Sequence, residues 1–219
     1  MLTNRCEVAM LQVARKKAFC KVLGPGVRSV IWFHGCFRRC PGCVADTMNE
    51  VAEYESFIPP QLADWVKGNT DIEGITISGG EPFMQPLDEL AELLTLIKRD
   101  TDLSVLCYTG YRYEELNVSG GGLSRYSSVL QHIDVLIDGE YRQDEDFGQR
   151  WRGSANQRFH FLTERYRSQA DEWNAAVERQ IEIELDMNGK LLISGVPSKD
   201  FINKLTNELQ RRDVTADFS

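Results

Sequence analysis

Positive charge, long apolar runs and paired metal-binding motifs are all scarce in this 219-residue chain, and each shortage excludes a class of protein. Lysine and arginine number 25 against 33 aspartates and glutamates, giving a formal net charge of -8. That balance argues against nucleic acid or an anionic membrane surface as the main partner. The longest apolar runs, such as residues 30–33, fall far short of the roughly 20 residues needed to span a bilayer. Met1-Leu2-Thr3-Asn4-Arg5 leads into mixed polar sequence, so no secretory signal is expected. Free thiols without an export signal point to the reducing cytoplasm. No internal repeat or low-complexity stretch is present, and an apolar content of 42% suffices for a sizeable core.

The cysteines, by contrast, are concentrated. Three fall within Cys36-Phe37-Arg38-Arg39-Cys40-Pro41-Gly42-Cys43, a C-x3-C-x2-C spacing that directly follows the apolar run Val30-Ile31-Trp32-Phe33. Clustered thiolates are soft ligands that select iron–sulfur clusters, zinc or copper(I). Three protein ligands leave one metal position free for chemistry, whereas four close the site. Zinc remains an alternative on spacing alone, with His34 or Cys20 as the fourth ligand. A zinc site normally shows a second C-x2-C or H-x3-H pair, however, and none follows. Pro41 and Gly42 suit a metal loop, because Pro fixes one torsion and Gly permits close backbone approach. Cys6, Cys20 and Cys107 lack ligand spacing and are expected to be small core or surface residues.

A second motif lies downstream. Gly74-Ile75-Thr76-Ile77-Ser78-Gly79-Gly80-Glu81-Pro82 reads as a β-branched strand running into a glycine pair, a carboxylate and a proline. Glycines at a strand's C-terminal end expose backbone groups where α/β proteins bind ligands. Glu81 is placed to accept hydrogen bonds from an ammonium group. A glycine pair alone would be an ordinary strand-to-helix turn; following a three-cysteine loop, it is more than that. In these two motifs the chain resembles the radical S-adenosylmethionine (SAM) superfamily. The resemblance implies a 4Fe–4S cluster held by Cys36, Cys40 and Cys43, with SAM bound at Gly79, Gly80 and Glu81. One electron from the reduced cluster would cleave SAM to methionine and a 5′-deoxyadenosyl radical that abstracts hydrogen from the substrate. The protein's task is to orient the cofactor and exclude competing reactions.

Hydrophobic periodicity gives the organisation. Strands are expected over residues 27–33, 72–77, 103–108 and 133–137. A helix opened by Pro59-Pro60 carries Leu62, Trp65 and Val66 and stops at Gly68; another follows Pro86 through Leu87, Leu90, Ala91, Leu94 and Ile97. Residues 113–116 begin a further helical connection. Alternating strands and helices imply parallel βαβ units with right-handed crossovers. The superfamily resemblance implies that this sheet curls into a partial (βα) barrel; the pattern alone does not separate that from an open sheet. Residues 1–163 form this core with an N-terminal lead-in. Residues 164–219 form a helical bridge over 164–180 and a ββα appendage. Its elements are the alternation Ile181, Ile183, Leu185, a turn at Asn188-Gly189, a return strand over 191–193, and a helix after Pro197-Ser198 with Phe201, Leu205 and Leu209 on one face. The appendage is expected to cover one end of the sheet, with substrate docking as the alternative.

Further stretches narrow the family. Leu23-Gly24-Pro25-Gly26-Val27-Arg28, Tyr108-Thr109-Gly110-Tyr111 and Arg150-Trp151-Arg152-Gly153-Ser154-Ala155-Asn156-Gln157-Arg158 resemble the activating enzymes of anaerobic (class III) ribonucleotide reductase over residues 23–162. That resemblance implies hydrogen abstraction from a backbone glycine of a glycyl-radical protein, with electrons from a flavodoxin- or ferredoxin-like donor. It departs at Val44-Ala45-Asp46, where the family commonly has His-Asn-Pro, and in the added ββα tail. Thr109 and Asp138 end consecutive strands on the SAM side and are candidate SAM contacts, or alternatively caps. Asn156 and Arg158 are candidates to line the site, or Asn156 to satisfy loop backbone. His34 is a candidate to tune the cluster or simply to pack at the strand end. Arg38-Arg39 either attract an acidic reductant or form a solvated face. Two other readings stay open: a radical SAM enzyme acting on another protein, a peptide or a metabolite, and a noncatalytic iron–sulfur carrier or sensor. The last leaves Gly79-Gly80-Glu81-Pro82 without a role.

Overall fold

The computed structural model describes residues 9–46, 48, 54–118, 124–175, 178–185, 187 and 191–211. One sheet contains β1 (Leu11–Cys20), β2 (Arg28–Phe33), β3 (Glu55–Phe57), β4 (Gly74–Gly79), β5 (Ser104–Tyr108), β6 (Val135–Asp138) and β7 (Arg158–Phe161), in the order β3-β1-β2-β4-β5-β6-β7. The central strands β2, β4, β5 and β6 run parallel. Antiparallel β1 and β3 extend one side and antiparallel β7 the other. Among the described residues, no helix is long and apolar enough to cross a membrane.

The central strands are apolar on both faces because both faces are covered. Ile31, Phe33, Ile75, Ile77, Val105, Cys107 and Leu136 pack against α1 (Pro59–Lys67) and α2 (Leu87–Asp100), which contribute Leu62, Val66, Leu90, Leu93, Leu94 and Ile97. Each such buried leucine or isoleucine contributes roughly 1.5–3 kcal/mol of transfer free energy. In α1 the Gln61 side chain accepts from Ile58 N at the start, and Gly68 N donates back to Asp64 O at 2.9 Å at the end. The first turn of α2 carries Asp88 and Glu89 and its last turn Lys98 and Arg99, the arrangement that the helix dipole favours. The short helices α3 (Tyr113–Leu116) and α4 (Ser127–Leu130) connect β5 to β6.

On the opposite face, Val30 and Trp32 pack with Cys20, Val22, Leu23 and Val196, while Leu106, Val135 and Ile137 pack with Trp151 and Trp173. Arg28 is fully buried on this side. Its guanidinium donates to Thr76 Oγ1 at 2.8 Å, to Ser104 Oγ at 2.9 Å and to the carbonyls of Pro25, Ile75 and Ser104. It thereby stitches β2, β4 and β5 together through dipoles, and a Cβ at Gly74 would lie 2.5 Å from its Nη1.

Three strands lie outside the periodicity-based expectation. The sequence of β1 reads as polar because it carries Arg15, Lys16 and Lys17, yet Lys17 is only 8% exposed and pairs with Glu182 and Glu184 at 2.8 and 2.9 Å. β3 is too short to show alternation, and β7 begins inside the Arg152–Arg158 motif. The bridge is also less helical than expected. A single 3-10 turn at Arg167–Gln169 leads into α5 (Ala170–Ala175), and residues 178–180 are irregular. Trp173, 2% exposed, anchors it against Trp151, Phe159, Phe161 and Tyr166. The appendage forms as β8 (Ile181–Leu185) paired antiparallel with β9 (Leu191–Gly195), followed by α6 (Lys199–Gln210). Ser198 caps α6 by accepting from Phe201 N at 3.1 Å. The expected turn at Asn188-Gly189 lies outside the described residues.

Candidate cluster and cofactor site

The cysteine loop leaves β2 at Phe33 and is tied at its root. His34 N donates to Gln12 O at 2.9 Å, and Gln85 Nε2 donates to His34 O at 3.0 Å. Cys40-Pro41-Gly42-Cys43 closes with Cys43 N donating to Cys40 O at 3.1 Å, and Gly42 has φ 76°. Pro second and a left-handed Gly third are the signature of a type II turn. Cys36, Cys40 and Cys43 are unpaired and half-buried. Burial raises the thiol pKa of Cys40 and pushes that of Cys43 up to about 11.

Gly79-Gly80 lies directly on the root of this loop. Gly80 N donates to Phe33 O and Glu81 N to Gly35 O, both at 2.8 Å. Gly79 has φ 101°, and a Cβ there would lie 2.4 Å from Phe33 N; one at Gly80 would lie 2.1 Å from Gly35 O. No side chain fits between these two backbones. The glycine pair therefore holds the two motifs in contact.

Glu81 is fully buried just beyond. Its Oε1 accepts from Phe83 N at 3.1 Å and Thr109 Oγ1 at 2.8 Å, and its Oε2 accepts from Gly110 N at 2.8 Å. Burial pushes the carboxyl up to about 6, while these donors and the charge of Arg38 pull it down. It is thus ionised at neutral pH, and Oε2 retains acceptor capacity beyond Gly110.

Cys36, Cys40, Cys43, Gly79, Gly80, Glu81 and Thr109 all line one cavity of about 470 Å³. The Tyr108 hydroxyl is buried in that wall without a protein partner. Among the described residues, no three His, Cys, Asp or Glu side chains converge closely enough for a single metal ion. Three soft sulfurs spread over a wall, with an orphaned hydroxyl and a buried carboxylate beside them, fit a cluster and an amine-bearing ligand better than a lone zinc.

Asp138 lies apart from this wall, in a neighbouring cavity of about 710 Å³ shared with Arg38 and Arg158. It accepts from Tyr113 N at 2.7 Å and from Arg158 Nη2 at 2.7 Å, and lies 3.0 Å from His160 Nε2. Burial alone would raise its pKa, but His160, Arg158 and Tyr113 outweigh burial and hold the carboxyl below the usual range. Asn156 Nδ2 donates to Glu140 O, and Arg158 also bridges to Glu114. His34 stacks on Tyr54 at 4.6 Å. Arg38 is no solvated loop residue: it lies over the Tyr111 ring at 4.5 Å, is ion-paired to Glu115 at 3.5 Å, and lines both cavities.

Several wall residues escaped sequence reasoning. Gln157 donates to Gly139 O and accepts from Gly153 N, both within hydrogen-bond distance; its place in the Arg152–Arg158 motif was the available signal. Tyr108 carried the same kind of signal through Tyr108-Thr109-Gly110-Tyr111, whereas the appendage residues Ile193, Val196, Pro197, Ile202 and Asn203 gave none.

The family model for a 4Fe-4S single cluster domain matches residues 22–160. An anaerobic ribonucleoside-triphosphate reductase-activating protein of Enterobacteria phage T4 is 31% identical over 150 residues, covering 63% of this chain and 85% of that protein. Proteins of the same name from Vibrio cholerae and Escherichia coli K12 are 32% and 31% identical, each covered over 92% of its own length. The motifs that share the cavity are those on which the sequence resemblance rested, and the chain belongs to the family of anaerobic ribonucleoside-triphosphate reductase-activating proteins.

Proposed function

We propose that the chain is a radical SAM enzyme that activates a glycyl-radical protein, an anaerobic ribonucleotide reductase, by abstracting hydrogen from a backbone glycine. The carrying observation is the shared cavity: the three-cysteine loop and the Gly79-Gly80-Glu81 turn are bonded backbone to backbone and open onto one space. The 4Fe–4S cluster and SAM, when bound, would supply radical chemistry for hydrogen abstraction. Cys36, Cys40 and Cys43 would hold the cluster through their thiolates. Gly79 and Gly80 would offer backbone groups to SAM, and ionised Glu81 would pair with its ammonium group. Thr109 fixes Glu81 through its hydroxyl. Asp138 acts from behind, holding the α3 start through Tyr113 and the β7 start through Arg158.

The partial-barrel reading of the sheet is supported by its strand order. β2, β4, β5 and β6 step in one direction without reversal, so right-handed crossovers place their helices on one face and leave the other concave. A flavodoxin- or ferredoxin-like protein in the cytoplasm is the matching electron source.

The test is to mix reduced enzyme, SAM and the reductase anaerobically. A glycyl doublet in the EPR spectrum is expected, with deuterium from the labelled glycine appearing in 5′-deoxyadenosine. No doublet, with label exchange into a peptide or metabolite instead, would transfer the assignment to another substrate. A colourless protein holding a single zinc would overturn the chemistry itself.

A further inference from the structure

The C-terminal appendage lies beyond the residues matched by the family model, which end at 160, yet it forms part of the wall of the reaction cavity. Ile193, Val196, Pro197, Ile202 and Asn203 line the same space as the three cysteines and Glu81. Its position is fixed by several independent contacts. Arg15 Nη1 donates to Ile193 O at 3.1 Å, and Lys17 pairs with Glu182 and Glu184. Val196 is buried with Cys20, Val22, Leu23, Val30 and Trp32. Ahead of β8, Arg179 donates to Asp146 at 2.5 Å, with both groups largely buried. Gly195, at φ 117°, passes so close to β8 that a Cβ would lie 2.7 Å from Gln180 O. The strap is therefore anchored on both sides of the hairpin, and the segment after β9 is directed to the cavity.

The chemistry of this wall differs from that of the rest of the cavity. The rest of the lining holds thiols, the carboxylates of Asp46, Glu81 and Glu140, and Arg38; the appendage residues that line the cavity are apolar side chains, the Asn203 amide and small residues, without a charge. A phosphate or a free nucleotide finds no cation on such a surface. A neutral main chain does find a match, since apolar groups exclude water and one amide supplies both a donor and an acceptor.

We propose that this wall selects the protein substrate: it receives the backbone segment flanking the glycine that gives up its hydrogen, and Ile202 and Asn203 are its specificity-determining residues. The inference rests on the glycyl-radical reading above. Its occupant is a glycine-bearing segment of the reductase.

Three full-length variants test it: Ile202→Trp and Asn203→Ala on the wall, and Leu185→Ser on the outer face, where Leu185 is 72% exposed. In the cluster-free chain, Ile202→Trp slows labelling of Cys36, Cys40 and Cys43 by a bulky maleimide severalfold, whereas Leu185→Ser labels as the parent does. In the reconstituted enzyme, both wall variants raise KM for the reductase about tenfold, with kcat changing by less than about twofold. Equal KM across all four proteins, or labelling unaffected by Ile202→Trp, overturns the proposal. If the parent enzyme binds the reductase but yields no glycyl radical, the activation reading fails on its own. Dissociation constants for the reductase across the same variants then decide the role of the wall, equal values overturning it.

Discussion

The Thr109 hydroxyl donates to Glu81 Oε1 at 2.8 Å, joining the end of β5 to the turn that follows β4. Two motifs that lie apart in the chain thereby line one cavity together, with Gly110 N completing the link at Glu81 Oε2. Thr109→Val removes this donor from a buried carboxylate. A loss of about 1.5–3 kcal/mol in the stability of the cluster-free chain is expected, measured by urea denaturation, with Thr109→Ser restoring most of it. An unchanged midpoint in the valine variant would show that the hydroxyl is dispensable.

Glu81 should also leave a signature in the pH dependence of stability. Its carboxyl titrates at about 6 in the folded chain, above its ordinary value of 4.5. The native state therefore binds the proton more tightly than the unfolded state, so the contribution is full below 4.5 and lost as pH rises through 6. Relative to Glu81→Gln, the wild-type chain should lose about 2 kcal/mol across that window. Denaturation curves of both proteins at a series of pH values check the sign, and parallel profiles would contradict it.

Glu81→Ala should keep its cluster but bind SAM more weakly. Losing one charge-assisted contact of about 1.5–3 kcal/mol corresponds to a roughly tenfold to hundredfold rise in Kd. Equilibrium dialysis against SAM on anaerobically reconstituted protein reads this directly. Wild-type affinity in the variant would mean that the ammonium lies elsewhere.

Gly80→Ala places a Cβ only 2.1 Å from Gly35 O, a backbone atom that cannot swing aside as a side chain would. The β4 turn and the cluster loop must then separate. Overpacking of this kind costs about 1–3 kcal/mol, and the expected outcome is lower thermal stability together with reduced iron retention. A variant with full iron content and an unshifted Tm would show that the two backbones can part freely.

Cys36→Ala, Cys40→Ala and Cys43→Ala should each abolish the cluster, whereas Cys20→Ala and Cys107→Ala should not, since both side chains are buried away from the loop. Wild type is expected to carry about four irons per chain after reconstitution. Iron analysis and the visible absorption of each variant decide the matter. Cluster loss in Cys107→Ala would require a different ligand set.

The sequence by itself determined the chemistry and the central frame. The three-cysteine loop and the glycine–carboxylate turn are encoded in short contiguous motifs, so their residue types and spacing carry their meaning wherever the chain goes. The strands β2, β4, β5 and β6 and the helices α1 and α2 were legible because burial on both faces, or on one helical face, imposes a local apolar pattern. Only the tertiary structure decided the rest. β1 looked polar because its buried Lys17 answers to Glu182, 165 positions away. Asp138 ended an obvious strand, but its partners Arg158 and His160 come from β7, and it lines the cavity beside the one that holds the three cysteines and Glu81. The appendage could be recognised as two strands and a helix, yet nothing in its pattern placed Ile202 and Asn203 beside the cysteines. Their position depends on ion pairs with β1 and on Val196 entering the core, and contacts between residues remote in the chain leave no periodicity in either segment.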